Sequence, residues 1–275
     1  MRKYLLHTLY SALSICNLSL LVLCAACTEQ DGLPSADPQP LTLAIGETVP
    51  FVEVTGNSNT RIADSGTTLA WENGDKIYLA ATITLNGTTT YAYSTATYTI
   101  SGSTGTWSDP DPALSVPSGA TVKIEAIYTN GTLSGNIMTL TEKNIVMKAT
   151  STNITITAST AAIPLKFKSE LVRLDITGIS NTNTALANID IPQSIDTQPA
   201  NGSFSITHAI VGSAKELTTN EVYYVFPGSI TFMAKNPPKL VQILYSDVKA
   251  NQSYPIDMGP DSGTIRPDGE PFVKP

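Results

Sequence analysis

The sequence predicts an all-β protein, and three observations carry that prediction. Beyond residue 40 no run shows the 3.6-residue apolar period of a helix. The chain offers instead short segments rich in Val, Ile, Thr and Tyr, residues that suit a pleated, half-buried surface. Gly, Asn, Asp and Pro punctuate these segments at sandwich-like spacing, and the pairs Asn86-Gly87 and Asn130-Gly131 mark hairpins.

In chain order, the first strands fall at residues 41–45 and 49–54. Asn73-Gly74-Asp75 makes a sharp turn into a strand over 76–80. Residues 88–100 alternate Thr and Ser with Tyr91, Tyr93 and Tyr98, directly after the Asn86-Gly87 turn. Residues 121–128 set Val122, Ile124 and Ala126 on one face and run into Asn130-Gly131. A denser apolar stretch over 163–179 carries Leu165, Phe167, Leu171, Val172, Leu174 and Ile176. A boundary is therefore expected near residue 160, giving domains 41–160 and 161–275. The second continues with strands at 187–191, 202–206, 221–226, 239–245 and 253–258, then a Pro/Gly-rich tail. No fixed-period repeat points to a solenoid or propeller.

Residues 1–26 have the pattern of a lipoprotein signal peptide. Arg2-Lys3 precedes an apolar run that carries His7 and Asn17, and Cys24-Ala25-Ala26-Cys27 closes it. A basic start, a short apolar core and small residues before a cysteine are what export and lipidation require. Cys27 is the expected lipid-bearing first residue; Cys24 stands where Leu is usual, with Leu23 just before it. Thr28-Glu29-Gln30-Asp31 resembles the acidic tags of lipoproteins sent to the outer face of a Gram-negative outer membrane. Residues 27–40, with Pro34, Pro38 and Pro40, read as a flexible tether. Signal removal takes Cys16 and Cys24, and the lipid takes Cys27, so no thiol pair remains for a disulfide, a redox motif or a cysteine-zinc site. The net charge of −7 becomes more negative once Arg2 and Lys3 are lost. Cations this few and scattered form no nucleic-acid surface.

Catalytic patterns are scarce. His208 is the one histidine left after His7 is removed, and no Gly-x-Ser-x-Gly elbow, phosphate-cradling glycine loop or His-Glu-x-x-His occurs. No enzyme activity, cofactor or metal is expected, and His208 reads as an ordinary surface residue. Asp109-Pro110-Asp111-Pro112 and the acids between Asp257 and Glu270 lack calcium-loop spacing and read as turns. The Asn-x-Ser/Thr sites at Asn86, Asn130, Asn153, Asn201 and Asn251 read as turn formers. Tyr91 and Tyr93 share a strand face with Tyr98 opposite, which fits cross-strand packing or a sugar-stacking platform. Trp107 stands open between the same two readings.

The stretch 60–79 contains Thr60-Arg61, then Trp71, Gly74, Asp75 and Ile77 in order. With these residues the chain resembles the fimbrillin family, the type V pilins and Mfa-like surface lipoproteins, which show Thr-Arg and then Trp-x-x-Gly-Asp-x-Ile. Leu165-Lys166-Phe167 followed by Val172-Arg173-Leu174-Asp175-Ile176 is similar to the strands opening that family's second domain. Glu221-Val222-Tyr223-Tyr224-Val225-Phe226-Pro227 is similar to its late strand. The resemblance implies two tandem transthyretin-like β-sandwiches, location at the outer membrane or in a cell-surface fimbrium, and a role in adhesion. It also implies assembly with other pilus subunits by strand exchange. In such pilins a protease cuts after an arginine near the first strand, that strand leaves, and a partner's strand fills the groove through main-chain hydrogen bonds. Arg61, in a polar segment, is the matching position for the cut, against the alternative of an ordinary loop residue in an uncut lipoprotein.

The tail departs from the family pattern. Prolines at 260, 267, 271 and 275 cannot donate ladder hydrogen bonds, leaving Thr264 to Arg266 and Phe272-Val273 as strand fragments. A subunit that accepts a strand and gives none belongs at the end of a fibre, so a minor, accessory or tip-like subunit is expected. The alternatives are an uncut pilus anchor and a surface glycan-binding lipoprotein, with a host or glycan ligand as partner.

Overall fold

The computed structural model describes residues 38–53, 69–157, 159–178, 185–211, 215–217, 221–228, 230–235, 238–243 and 248–257. The expected signal peptide with Cys27, the expected cut site Arg61, and the tail from residue 258 lie outside the described residues. All regular structure among the described residues is β-strand.

The largest sheet has seven strands. Its order is Lys168–Ser169, Val146–Thr150, Thr121–Thr129, Lys76–Leu85, Thr88–Ser101 and Thr104–Trp107, with Ile154–Thr155 also paired to Thr121–Thr129. The long hairpin closes at Asn86-Gly87, where φ of 51° and 79° gives the doubly left-handed turn that matches strand twist. Strand Lys76–Leu85 runs five residues past its expected end because it is central and buried on both faces. Ile77, Leu79, Ala81 and Ile83 face one core cluster, and Tyr78 and Ala80 face another. Residues with alternate small and large side chains thus serve two layers, which simple alternation does not reveal.

The second layer is a four-stranded sheet, Ile206–Ile210, Asp190–Asp196, Ile137–Thr139 and Thr132–Ser134. It brings Met138 and Ile195 to the cluster containing Tyr78, Ala80, Ile127 and Val146. Two expectations change here. Asn130-Gly131 does not close a hairpin, because Thr121–Thr129 already has Lys76–Leu85 and Val146–Thr150 on its two edges. The chain turns a corner instead, and Thr132–Ser134 pairs with Ile137–Thr139 in the second layer. Asn130 Oδ1 accepts the Ile145 N–H at 3.0 Å, which holds that corner. The strand expected at 202–206 begins only at Ile206. Residues before it satisfy a buried carboxylate: Ser203 Oγ donates to both Glu125 oxygens at 3.0 Å and Phe204 N donates to Oε2 at 3.2 Å.

A third sheet, of four strands, orders Glu221–Val225, Val172–Thr177, Gln252–Asp257 and Val52–Glu53, and its last two neighbouring pairs are parallel. Val172, Leu174, Ile176, Tyr223, Val225 and Ile256 build its core. Lys215–Leu217, Ala185–Asn188, Ile230–Lys235 and Pro238–Ile243 form a further four-stranded sheet. The first core cluster ends at Phe167 and the next begins at Val172. The third cluster and the shared sheet of Ile137–Thr139 and Asp190–Asp196 join the two halves.

Candidate functional site

Residues 38–53 form a strap laid along edges contributed by both halves. Gln39–Pro40 pairs antiparallel with Ser115–Val116, and Leu41 N donates to Leu114 O at 2.8 Å. Leu43–Ile45 pairs parallel with Ile163–Leu165, extended by Gly46 N to Leu165 O at 3.1 Å and Val49 N to Phe167 O at 2.7 Å. Val52–Glu53 then adds as the parallel edge strand on Gln252–Ser253. Main-chain groups therefore supply most of the holding bonds, a form of recognition that tolerates changes of side chain. Specificity comes from buried residues: Leu41 is 7% exposed and Phe51 4%. Each contributes about 1.5–3 kcal/mol by leaving water. A cleft of ≈ 100 Å³ beside Leu41 is lined by Pro40, Thr42, Ile156, Thr157 and Ile163.

Two side-chain latches fix the strap. The first is Trp71, whose Nε1–H donates to Gly46 O at 3.1 Å. Its ring makes edge contacts with Trp107 at 5.0 Å and with Tyr128 and Phe167 at 5.3 Å, so it is locked in place. Thr48 Oγ1 donates to Leu69 O on the same side. The second latch is Asn251, held at φ of 63°, a conformation Asn tolerates better than most residues. Its Nδ2 donates to Pro50 O at 2.8 Å, and its carbonyl accepts the Val52 N–H at 2.9 Å. Its Oδ1 accepts the Ser169 N–H at 3.1 Å, while its own N–H donates to Leu171 O at 3.0 Å. Between the two clamped strap residues, the Phe51 ring stacks on Tyr224 at 6.1 Å. Burial raises the Tyr224 phenol; the adjacent Arg173 guanidinium pulls it the other way.

The sequence motif proves to be the scaffold of the first latch. Gly74, at φ of 94°, donates its N–H to Tyr98 O at 2.8 Å and turns the chain into the central strand. Asp75 caps that turn, with Oδ2 accepting the Glu72 N–H at 2.7 Å, and its Oδ1 accepts the Tyr128 hydroxyl at 2.8 Å. Burial first, then this bond and the Asp75 charge, push the Tyr128 phenol well above its ordinary range. Ile77 is fully buried. Of the four motif residues Trp71 bonds the strap directly, while Gly74 and Asp75 form the turn behind it and Ile77 anchors the next strand in the core.

Other candidate residues lie apart from it. His208 Nδ1 sits 2.8 Å from Asp190 Oδ2 and stacks on Phe226 at 4.2 Å. Among the described residues, no three of His, Cys, Asp and Glu gather where a metal ion could be held. Asp111 exchanges backbone hydrogen bonds with Thr95 as an isolated antiparallel β-bridge, where the sequence suggested a turn. Tyr93 Oη donates to Pro199 O, and Tyr91 lies against Gly202, where an added Cβ would sit 2.3 Å from its ring. These two tyrosines pack on the turn at 199–202, although Tyr91 stays 42% exposed. Trp107 is half-buried between Trp71 and Tyr98, whose ring is 5.2 Å away. Sequence reasoning missed Asn251 as a latch, and its one signal was an asparagine placed between two strands.

No family model matches the chain, and no curated protein matches it. Solved structures that resemble it include a "putative cell adhesion protein" from Bacteroides uniformis, at 16% identity and a TM-score of 0.41, covering 69% of this chain and 88% of that one. Another protein of the same description, from Parabacteroides distasonis, is 10% identical with a TM-score of 0.42, covering 87% of this chain and 93% of that one. A "fimbrial protein" from Bacteroides ovatus is 12% identical with a TM-score of 0.40, covering 83% of this chain and 50% of that one. Likeness at this level leaves the chain's function to its own residues.

Proposed function

We propose that this chain is a fimbrial subunit of the minor, accessory or tip-like kind, with a role in adhesion. It is exported as a lipoprotein through Cys27 and assembled by strand exchange after cutting at Arg61. The observation that supports this reading is the seating of residues 38–53. The strap is held by main-chain bonds along open sheet edges and by two latches, and it leads directly into the segment that contains Arg61. Its departure would uncover the edges of Ile163–Leu165 and Gln252–Ser253 together with the pockets of Leu41 and Phe51. An edge and pockets of that kind suit another extended peptide, so other pilus subunits are the partners.

Cutting the purified chain after Arg61 and adding isotope-labelled peptide of residues 38–53 tests this. Native mass spectrometry is expected to show the labelled peptide replacing the original strap on a body that stays folded. A body that never exchanges its strap, or unfolds when the strap leaves, would contradict the proposal. The glycan-binding alternative turns on an exposed Trp107 beside a tyrosine, and here Trp107 is half-buried with the rings of Trp71 and Tyr98 against it.

A further inference from the structure

The seat of the strap asks different things of successive residues. Leu41, Gly46, Val49 and Val52 each donate a backbone N–H to the body, Val52 to Asn251 O at 2.9 Å. Pro50 gives only its carbonyl, to Asn251 Nδ2 at 2.8 Å, so proline forfeits no bond at that position. Side chains are read more selectively. Gly46 is not held to its size, since an added Cβ would meet only Leu165 O, at an ordinary 3.7 Å. Val52 is 61% exposed, whereas Phe51 is buried with its ring laid on Tyr224.

The body alone builds the surface on which Phe51 lies. Arg173, Tyr224 and Ser253 are neighbours across the third sheet and share one face. The buried Arg173 guanidinium lies beside the Tyr224 phenol, donates to Ser253 Oγ at 3.0 Å and pairs with Asp175 at 3.1 Å. Asn251 is tied to the same body through Ser169 and Leu171. Ring and amide are thus set in place by residues outside the strap, the pre-organisation that makes a contact selective.

We propose that the Asn251–Tyr224 site is the specificity determinant for the incoming partner strand, and that it selects an extended segment with an aromatic residue at the place of Phe51, followed by a residue other than proline. The inference rests on strap release and deepens that reading by stating the partner's chemistry. Most of the remaining seat is main-chain pairing, which any extended segment satisfies, so discrimination concentrates where a ring is enclosed. A ring stacked on Tyr224 gains about three- to tenfold in affinity over an aliphatic side chain of like area. A proline at the place of Val52 would leave Asn251 O without its donor. A proline just before the aromatic residue is admitted, and by fixing φ it lowers the cost of ordering the free strand.

The test is competition against fluorescein-labelled peptide of residues 38–53 on the chain cut after Arg61. Unlabelled peptides carrying Phe51→Tyr or Pro50→Ala are expected to compete within about threefold of the unaltered peptide. Phe51→Leu and Val52→Pro are each expected to compete about tenfold less well. Equal competition by Phe51→Leu would overturn the selection of a ring, and equal competition by Val52→Pro would overturn the reading of the backbone. On the body, Tyr224→Leu is expected to abolish the preference for Phe over Leu, while Tyr224→Phe keeps the ring and the preference. A preference that survives Tyr224→Leu would also overturn the proposal, because it would come from side-chain size alone. Failure of the unaltered peptide to enter the cut chain would remove the strand-exchange reading itself, an outcome distinct from entry without discrimination.

Discussion

At the scale of single residues, Asn251 has the widest reach. One side chain and its backbone tie together Pro50, Val52, Ser169 and Leu171. Asn251→Ala removes two side-chain bonds and forces a Cβ residue without a polar group into positive φ. The expected cost is about 2–3 kcal/mol by urea denaturation. Asn251→Gly keeps the backbone relaxed and is expected to lose less. Glu125 offers a pH test. Burial pushes its carboxyl up, but bonds from Lys148, Lys123 and Ser203 more than offset that and hold it below the usual carboxylate range. A lowered native value stabilises the fold above the unfolded value of about 4.3 and loses that effect as pH falls further. Glu125→Gln is thus expected to cost about 1–3 kcal/mol near neutrality, discounted because both lysines reach solvent. The gap from wild type closes below about pH 4. Trp71, Gly74 and Asp75 were legible in the sequence as a motif. The role of Asn251 was not, since its partners lie far away in the chain and an asparagine in a turn has no further local signature.

At the scale of elements, the strap differs from the strands it lies on. Lys76–Leu85 is buried on both faces, whereas the strap is an edge throughout its length. Phe51→Ala is expected to weaken strap binding by about 3 kcal/mol and to speed labelled-peptide exchange after cutting, without altering the uncut body's seven-stranded sheet. Trp71→Phe keeps most of the ring contacts and loses the bond to Gly46, so a smaller gain in exchange rate is expected. Trp71 and Trp107 are the chain's two tryptophans, so fluorescence of cut protein reports the strap's departure directly. The hairpin 76–101 was readable because its turn and its pairing are local. Thr132–Ser134 and Ile137–Thr139 were not, because these short stretches, exposed but for Met138, acquire meaning only when Asp190–Asp196 arrives from the other half. Nothing local announces the strap's parallel register either.

At the scale of the whole molecule, the halves are held as one body by a shared sheet, the Glu125 cluster and the tyrosines packed at 199–202. Gly202 has φ of 68° and faces the Tyr91 ring. Gly202→Ala is accordingly expected to cost about 1–3 kcal/mol, visible as a lowered urea midpoint. Strand exchange as proposed requires that a body braced in this way stay folded when the strap takes Leu41 and Phe51 out of the first core cluster. The most direct measurement is the N-terminal sequence and intact mass of the protein recovered from the cell surface. The account predicts a chain that begins at Ile62 and carries no lipid. A population that consists wholly of chains beginning at acylated Cys27 would contradict it.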